Sequence, residues 1–205
     1  MQQILFGGTF DPVHHGHVSL VSLARLAFPD ADILIITVCH SIYKDASTTD
    51  FSHRLAMCSH VFAAVPGIHV SDIECRPGHD GHFATTLRWL INENDGQKPM
   101  LLLGPDTFLS VTRWFESDFI LQHVIPLTVI PEKNSPIFQN QCDLLQERGA
   151  APVLLTGNLL PISSSDVRRA LFKTGESSWI PDHVQRYIRM NNLYGVNNPG
   201  LTKEK

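Results

Sequence analysis

The residues best suited to chemistry lie in positions 6–17, which read Phe-Gly-Gly-Thr-Phe-Asp-Pro-Val-His-His-Gly-His. Gly7 and Gly8 lack a Cβ atom and allow the backbone to approach a ligand closely. His14 and His17 lie where a helix is predicted to begin, and a helix start offers unpaired N–H groups and the positive end of the helix dipole. Imidazole N–H groups at that point would add donors for phosphate oxygens. The spacing therefore predicts a phosphate-binding turn.

A second group of residues suited to phosphate lies at positions 161–169, Pro-Ile-Ser-Ser-Ser-Asp-Val-Arg-Arg. The hydroxyls of Ser163, Ser164 and Ser165 open a predicted helix, where they and the free N–H groups could bind phosphate oxygens. Arg168 follows one turn later and offers a planar fork of donors. An ordinary serine N-cap with solvated arginines has the same pattern, so this segment alone leaves both interpretations open.

The elements that must position these residues alternate along the chain. Short apolar runs predict buried strands at 4–6, 32–39, 68–73, 100–103, 124–130 and 153–156. Helical periodicity predicts helices at 18–28, 50–65, 83–94, 107–115, 138–148, 164–174 and 181–192. This alternation predicts a single-domain α/β fold, a doubly wound, Rossmann-like parallel sheet with helices on both faces. We expect the domain to cover 1–195 and 196–205 to form a flexible tail.

Composition narrows the possible functions. The 205 residues carry a formal net charge of −4, which argues against a nucleic-acid partner. No apolar run is long enough to span a membrane, and the N-terminus lacks a signal-peptide pattern, so a cytoplasmic location is expected. Neither Gly-x-x-x-x-Gly-Lys-Ser/Thr nor Gly-x-Gly-x-x-Gly occurs in the sequence, which argues against P-loop kinases and dinucleotide-dependent dehydrogenases.

The cysteines give no sign of a metal centre or a disulfide framework. They are Cys39, Cys58, Cys75 and Cys142. Their wide spacing contains no Cys-x-x-Cys pair, and we therefore expect four free thiols. An alternative is a loose metal cluster of Cys75, His79 and His82, in a stretch that otherwise indicates a loop.

The two phosphate-type segments together resemble a known family. Gly-Gly-Thr-Phe-Asp-Pro at 7–12, continued by His-x-Gly-His at 14–17, and Ile-Ser-Ser-Ser-Asp-Val-Arg at 162–168 resemble the signature motifs of the nucleotidyltransferase superfamily. Gly-x-Asp at 104–106 and the closing segment 180–194 narrow the resemblance to bacterial nicotinate (nicotinamide) mononucleotide adenylyltransferases.

The resemblance implies small-molecule substrates, ATP and a pyridine mononucleotide, with Mg²⁺ accompanying ATP and no metal site made by the protein. His14, His17 and Arg168 are implied as the catalytic residues, and His15 is given no role. ATP and its phosphates are assigned to the following residues: Gly8, Thr9, Phe10, Lys44, Gly104, Asp106, Ile162, Ser163, Ser164 and Ser165. Lys44 could instead be a solvated loop residue, and Asp106 could merely cap a helix beginning at Thr107.

The acceptor side is where the sequence departs from the family pattern. Phe83, Thr86 and Trp114 are implied as acceptor-binding residues, although an aromatic residue such as Trp114 could equally belong to the core. Phe83 stands where the family has a threonine, and residues 40–44 and 131–133 also differ. The preference between nicotinate and nicotinamide and the oligomeric state stay open, with a homo-oligomer possible. Two rival functions remain: a related transferase acting on phosphopantetheine or an alcohol phosphate, and a non-catalytic nucleotide-binding relative.

Overall fold

A computed structural model of the protein describes residues 2–40, 49–91, 97–130 and 135–197. Six parallel strands form one sheet in the order β3-β2-β1-β4-β5-β6. The strands are β1 (Gln3–Gly8), β2 (Asp32–Thr37), β3 (Ile68–Ser71), β4 (Met100–Leu103), β5 (Ile125–Ile130) and β6 (Val153–Thr156). The six strands predicted from apolar runs are confirmed, with two of them ending earlier than expected.

Eight α-helices occur in the described residues. They are α1 (His15–Ala27), α2 (Phe51–Phe62), α3 (Phe83–Ile91), α4 (Pro105–Ser110), α5 (Ser117–His123), α6 (Pro136–Glu147), α7 (Ser164–Thr174) and α8 (Asp182–Met190). The helix predicted at 107–115 is wrong in extent, because α4 stops at Ser110 and a 3-10 turn, Val111–Arg113, follows it. Helix α5 was not predicted, since its seven residues are too few to display a clear 3.6-residue period.

The strands bury both faces, as a parallel sheet requires. Ile4 and Phe6 of β1 belong to one hydrophobic cluster, whereas Leu5 between them belongs to the other, because successive strand side chains point to opposite faces. Helices α1, α2, α7 and α8 contribute to the first cluster, and α3 to α6 contribute to the second. The predicted doubly wound, single-domain architecture is therefore confirmed.

Strand order reverses direction between β1 and β4. From β1 the chain moves outward to β2 and β3, then returns to place β4 on the opposite side of β1. Helices that follow β1 and β4 consequently lie on opposite faces, which leaves a crevice beyond the carboxyl ends of these two strands, where ligands bind in such folds. Gly8 ends β1 and Gly104 follows β4, so both border this crevice.

The expectation of four free thiols is wrong for one pair. Cys39 and Cys75 form a disulfide with Cα atoms 5.1 Å apart, while Cys58 and Cys142 are buried thiols. Cys39 follows β2, and Cys75 closes the 3-10 turn Ile73–Cys75 after β3. Because β2 and β3 are neighbouring parallel strands, their carboxyl ends bring together two cysteines that are 36 residues apart in sequence.

The alternative of a cluster formed by Cys75, His79 and His82 is not supported by the structure. Throughout the four described ranges, no group of three or more His, Cys, Asp or Glu side chains is placed to hold a metal ion. In the same ranges, no helix has the length and apolar character needed to cross a membrane.

Candidate active site

The turn after β1 is built around a buried aromatic ring. Phe10 has a left-handed backbone with φ of 49° and is 1% exposed. A Cβ atom at Gly8 would lie 2.9 Å from Cζ of Phe10, so only glycine allows the backbone to pass over this ring. The structure thus places the Phe10 side chain in the core beneath the turn, and any contact of Phe10 with ATP would have to come from its backbone.

The two motif histidines occupy the first turn of α1. His14 is the N-cap, and its backbone N–H donates to Nδ1 of His17 across 3.2 Å. The two rings stack with centroids 3.7 Å apart. Because Nδ1 of His17 accepts this bond, neutral His17 must carry its proton on Nε2, where it can serve as a donor.

His14 is held as a neutral ring. It is 4% exposed, and burial, with a smaller contribution from neighbouring His15, lowers its pKa to about 4. Its Nδ1 atom has no hydrogen-bond partner in the described part of the chain. A Cβ at Gly16 would lie 2.9 Å from Nδ1 and Cε1 of His14, so the glycine provides the space that this ring occupies. A buried imidazole nitrogen without a partner is a group that a bound ligand could satisfy.

Arg54 is a buried cation that the sequence analysis did not identify as part of the site. It is 2% exposed and donates to the carbonyl of Thr9 at 2.8 Å. Its other donors reach the carbonyls of Val38 at 2.6 Å, Cys39 at 2.9 Å and Thr49 at 3.0 Å. One guanidinium therefore joins the turn after β1 to the end of β2 and to the approach to α2. An arginine on the apolar side of a predicted helix was the available signal.

The late serine–arginine segment meets the early turn directly. Ser164 Oγ donates to the carbonyl of Pro12 at 3.1 Å, between residues separated by 152 positions. Arg168 donates to the carbonyl of Asp11 at 2.7 Å and to Ser165 Oγ at 3.2 Å. The two segments that carry the family resemblance are therefore in direct hydrogen-bond contact.

The three serines have different local roles. Ser163 is the N-cap of α7, and its Oγ accepts the backbone N–H of Asp166 at 3.1 Å. Its hydroxyl also donates to the Asp166 carboxylate at 2.6 Å, and this bond holds the pKa of that carboxyl below its usual value. Ile162, just before the cap, packs against the first hydrophobic cluster. The N-cap interpretation therefore holds for Ser163, whereas Ser164 and Ser165 make hydrogen bonds to Pro12 and Arg168.

A tyrosine near the end of the described chain contacts the turn after β1. Tyr194 Oη donates to Oδ1 of Asp11 at 2.6 Å, and burial together with this carboxylate raises the pKa of the phenol. Asp11 is itself 3% exposed. The closing segment of the chain is therefore hydrogen-bonded to the turn after β1, a contact that no local sequence pattern indicated.

The residues expected to contact adenosine lie across the crevice. Gly104 is the N-cap of α4, which begins at Pro105, and Asp106 is exposed in the first turn. The alternative that Asp106 caps a helix starting at Thr107 is therefore wrong. Thr9 is half-buried and comes directly after β1, at the start of the turn on the other side of the crevice.

The expected acceptor-side residues follow β3 and β4, at the same edge of the sheet. Phe83 is 9% exposed and Trp114 is half-buried, and their rings meet edge to face with centroids 5.7 Å apart. Trp114 packs against the second hydrophobic cluster, as the core interpretation expects, and part of its surface is exposed. Thr86 is fully buried in α3, and its hydroxyl donates to Glu74 Oε1 at 3.0 Å.

Lys44 and residues 131–133 lie outside the described residues. The described part of the chain offers no cluster of three or more metal-ligating side chains.

Comparisons with known proteins agree with this geometry. A family model described as cytidylyltransferase-like matches residues 5–170. A relative from Acidithiobacillus ferrooxidans, named "Probable nicotinate-nucleotide adenylyltransferase", is 30% identical over 93% of this chain and 94% of its own length. One with the same name from Thermosipho melanesiensis is 28% identical over 94% of this chain and 95% of its own.

Among solved structures, the nicotinic acid mononucleotide adenylyltransferase of Plasmodium falciparum, complexed with NaAD, has the same fold with a TM-score of 0.74. The match covers 96% of this chain and 99% of that one at 19% identity, which supports the fold. The full-length match to relatives and the joined signature motifs point to one conclusion. The chain belongs to the cytidylyltransferase-like nucleotidyltransferases and, within them, to the nicotinate-nucleotide adenylyltransferase group.

Proposed function

We propose that the protein transfers AMP from ATP to the 5′-phosphate of nicotinate mononucleotide, releases pyrophosphate and forms the dinucleotide used in NAD biosynthesis. The observation that carries the proposal is the contact between the two phosphate motifs, in which Ser164 and Arg168 hydrogen-bond to the backbone of Pro12 and Asp11. This contact puts two helix starts and two histidines around one crevice. Such a site suits a reaction between two phosphate groups.

The reaction needs positioning more than covalent chemistry. An oxygen of the acceptor phosphate attacks the α-phosphorus of ATP in line, a new P–O bond forms, and the bond to the bridging oxygen of pyrophosphate breaks. The acceptor phosphate is already an anion near neutral pH, so no protein base is required. The enzyme lowers the barrier by holding both phosphates in line and by stabilising the charge that develops during transfer.

His17 would donate its Nε2 proton to the α-phosphate or to the bridging oxygen. The Nδ1 contact with His14 fixes both the tautomer and the ring orientation for that donation. His14, which is neutral and buried, would contribute a second imidazole contact. Hydrogen bonds of this kind strengthen as charge accumulates on the transferring group, and they therefore act on kcat.

Arg168 and the serines at the start of α7 would bind the β- and γ-phosphates that leave as pyrophosphate. Two Arg168 nitrogens donate to Asp11 and Ser165, which holds the guanidinium beside the turn after β1. Gly8 and Thr9 would line the phosphate path, and Gly104 with Asp106 would contact the adenosine. Mg²⁺ bound to ATP would offset the triphosphate charge. Lys44 is proposed as a further phosphate contact from the resemblance alone.

The acceptor base would bind beside Phe83 and Trp114, whose rings offer an aromatic surface at the same sheet edge. The substrates are small metabolites of the cytoplasm, which is where we propose the enzyme acts. The test is to incubate the purified protein with ATP, Mg²⁺ and nicotinate mononucleotide and to identify the products by mass spectrometry. A dinucleotide in equal amount with pyrophosphate supports the proposal, whereas unchanged substrates would contradict it.

A further inference from the structure

A buried hydroxyl connects the acceptor-side helix to two groups outside it. Thr86 in α3 is fully buried, and its Oγ1 donates to Oε1 of Glu74 at 3.0 Å. The same Oγ1 lies 2.9 Å from Nε2 of His79, in the loop that precedes the helix. Thr86 therefore cannot reach a ligand directly with its hydroxyl while both contacts are kept.

The direction of each hydrogen bond follows from counting protons. Thr86 has one hydroxyl proton, which goes to Glu74, so Nε2 of His79 must donate to Oγ1. The backbone N–H of Gly81 donates to Nδ1 of the same ring at 2.9 Å. These two bonds together require neutral His79 with its proton on Nε2. Burial lowers the pKa of His79, in keeping with that form.

The hydrogen-bond network ends at a buried carboxyl group. Glu74 is 5% exposed, and burial raises its pKa to about 7, while the hydroxyl of Thr86 acts in the opposite direction. Glu74 lies in the 3-10 turn after β3, next to Cys75 of the disulfide. The network thus anchors the loop before α3 to the sheet edge that borders the crevice.

The loop needs such an anchor because its two glycines give its backbone a large conformational freedom. Gly78 and Gly81 both have positive φ, 88° and 83°, and glycine at these positions leaves many conformations open to the unfolded loop. The ring of His79 also meets Trp89 of α3 edge to face, with centroids 5.2 Å apart. One imidazole therefore contacts the loop backbone, the helix interior and the helix surface.

We propose that His79 is a positioning residue for the acceptor. It holds the segment 81–87 in one conformation, so that the Phe83 ring has a fixed position beside the pyridine nucleotide. The proposal rests on the proposed function for the identity of the acceptor. His79 does not touch the reacting atoms, so its loss should change acceptor binding and leave the ATP side unaffected. Thr86, in turn, acts through His79 and Glu74.

The test compares three variants of His79 with one control. His79→Ala removes both bonds. His79→Asn can keep the Gly81 bond through its Oδ1 in an Asx turn, and His79→Gln can keep the donor toward Thr86. His123→Asn is the control, because this histidine is also half-buried and bonds a backbone carbonyl, that of Phe119 at 2.8 Å, but on α5.

Steady-state kinetics supply the first readout. We expect His79→Ala to raise KM for nicotinate mononucleotide by about tenfold, since a small misplacement of a binding group has large effects, while KM for ATP and kcat change by less than about twofold. His79→Gln should fall between wild type and His79→Ala, and His123→Asn should match wild type. An unchanged acceptor KM in His79→Ala, or an equal rise in both KM values, would overturn the proposal.

Amide hydrogen exchange supplies a readout that needs no substrate. Exchange in residues 81–87 should be about tenfold or more faster in His79→Ala than in wild type, with other segments unchanged. Equal exchange in the two proteins would overturn the inference whatever the acceptor is. Turnover of nicotinate mononucleotide by wild type tests the proposed function separately, so a failure of one claim is distinguishable from a failure of the other.

Discussion

The backbone N–H of His14 donates to Nδ1 of His17 across 3.2 Å, and this bond decides which nitrogen of His17 carries the proton. The ring that caps the helix is thus also the one that would donate a proton in the proposed reaction. Nδ1 accepts the bond that orders the first turn of α1, and Nε2 carries the proton of the neutral ring. The two roles can be separated by substitution.

His17→Asn should separate the cap from the donor. Asparagine can accept the His14 N–H through Oδ1, but it has no group in place of Nε2. We expect kcat to fall by about a hundredfold to ten-thousandfold, because a donor to the developing charge is lost, with unfolding free energy close to wild type.

His17→Ala is the companion variant and should lose a similar factor in kcat while also losing about 1 kcal/mol of stability with the cap. His15→Asn, at the neighbouring position, is the matched control and should keep normal turnover. Near-normal kcat in folded His17→Asn would contradict the donor role.

Gly16→Ala tests whether His14 must occupy its observed position. The new Cβ would lie 2.9 Å from the His14 ring, which must shift. We expect kcat to fall by about tenfold or more, because the ring that shifts is one that the phosphate would contact. Alanine is the better helix former, so the melting temperature should change little.

Ser22→Ala is the control for this substitution, because Ser22 is an exposed residue of the same helix and is assigned no contact with substrate. Its kcat should equal that of wild type. Equal kcat for the Gly16 and Ser22 variants would show that the position of His14 is unimportant.

Much of the architecture could be predicted because its signals are local. Each buried parallel strand is an uninterrupted apolar run such as 100–103, and each long helix repeats its apolar residues at helical spacing. The start of α1 was misplaced by three residues, since His15, Gly16 and His17 carry no apolar signal although they are helical. Helix α5 follows Glu116 with φ of 53°, a turn that no sequence pattern indicated.

The site was predictable only where residues lie close in sequence or belong to a recognised motif. Arg54 and Tyr194 bond to partners at distant positions, and His79 bonds to Thr86 in a contact that no recognised motif describes. The pairing of Cys39 with Cys75 likewise depends on which strands are neighbours. Such relationships arise from the fold, and a single sequence displays none of them.

The buried His14 ring should make stability depend on pH. Its pKa is lowered from 6.5 to about 4, so the unfolded chain binds a proton in this interval that the folded protein does not. This ring therefore favours folding above pH 6.5, and that contribution is lost as pH falls toward 4. The size of the lost contribution is about 3 kcal/mol. Glu74, with its pKa raised from 4.5 to about 7, acts oppositely and lowers stability as pH rises through that range.

His14→Asn isolates the histidine, because Glu74 is present in both proteins. Urea unfolding would be measured at about pH 7.5 and about pH 4.5 for wild type and variant. The free energy of unfolding of wild type minus that of the variant should be larger at the higher pH by about 2 to 3 kcal/mol. The same difference at both pH values would contradict a neutral, buried His14.

The disulfide should stabilise the protein under oxidising conditions. Closing the loop between Cys39 and Cys75 is worth about 3 to 4 kcal/mol on the chain-entropy estimate, or about 10 °C in melting temperature. A reductant should lower the melting temperature of wild type to that of the Cys39→Ser, Cys75→Ser double variant, which should itself be insensitive to reductant. A wild-type melting temperature that does not respond would contradict this role. Cytoplasmic conditions favour the reduced pair.

The most direct test of the central claim is pyrophosphate release by one preparation of the wild-type protein, with ATP and Mg²⁺, against nicotinate mononucleotide, nicotinamide mononucleotide and phosphopantetheine in turn. We predict rapid release with nicotinate mononucleotide and background release with phosphopantetheine, and the comparison with nicotinamide mononucleotide fixes the preference between the two pyridines. Release with phosphopantetheine alone would contradict the proposed acceptor. Release with none of the three would contradict adenylyl transfer to these acceptors.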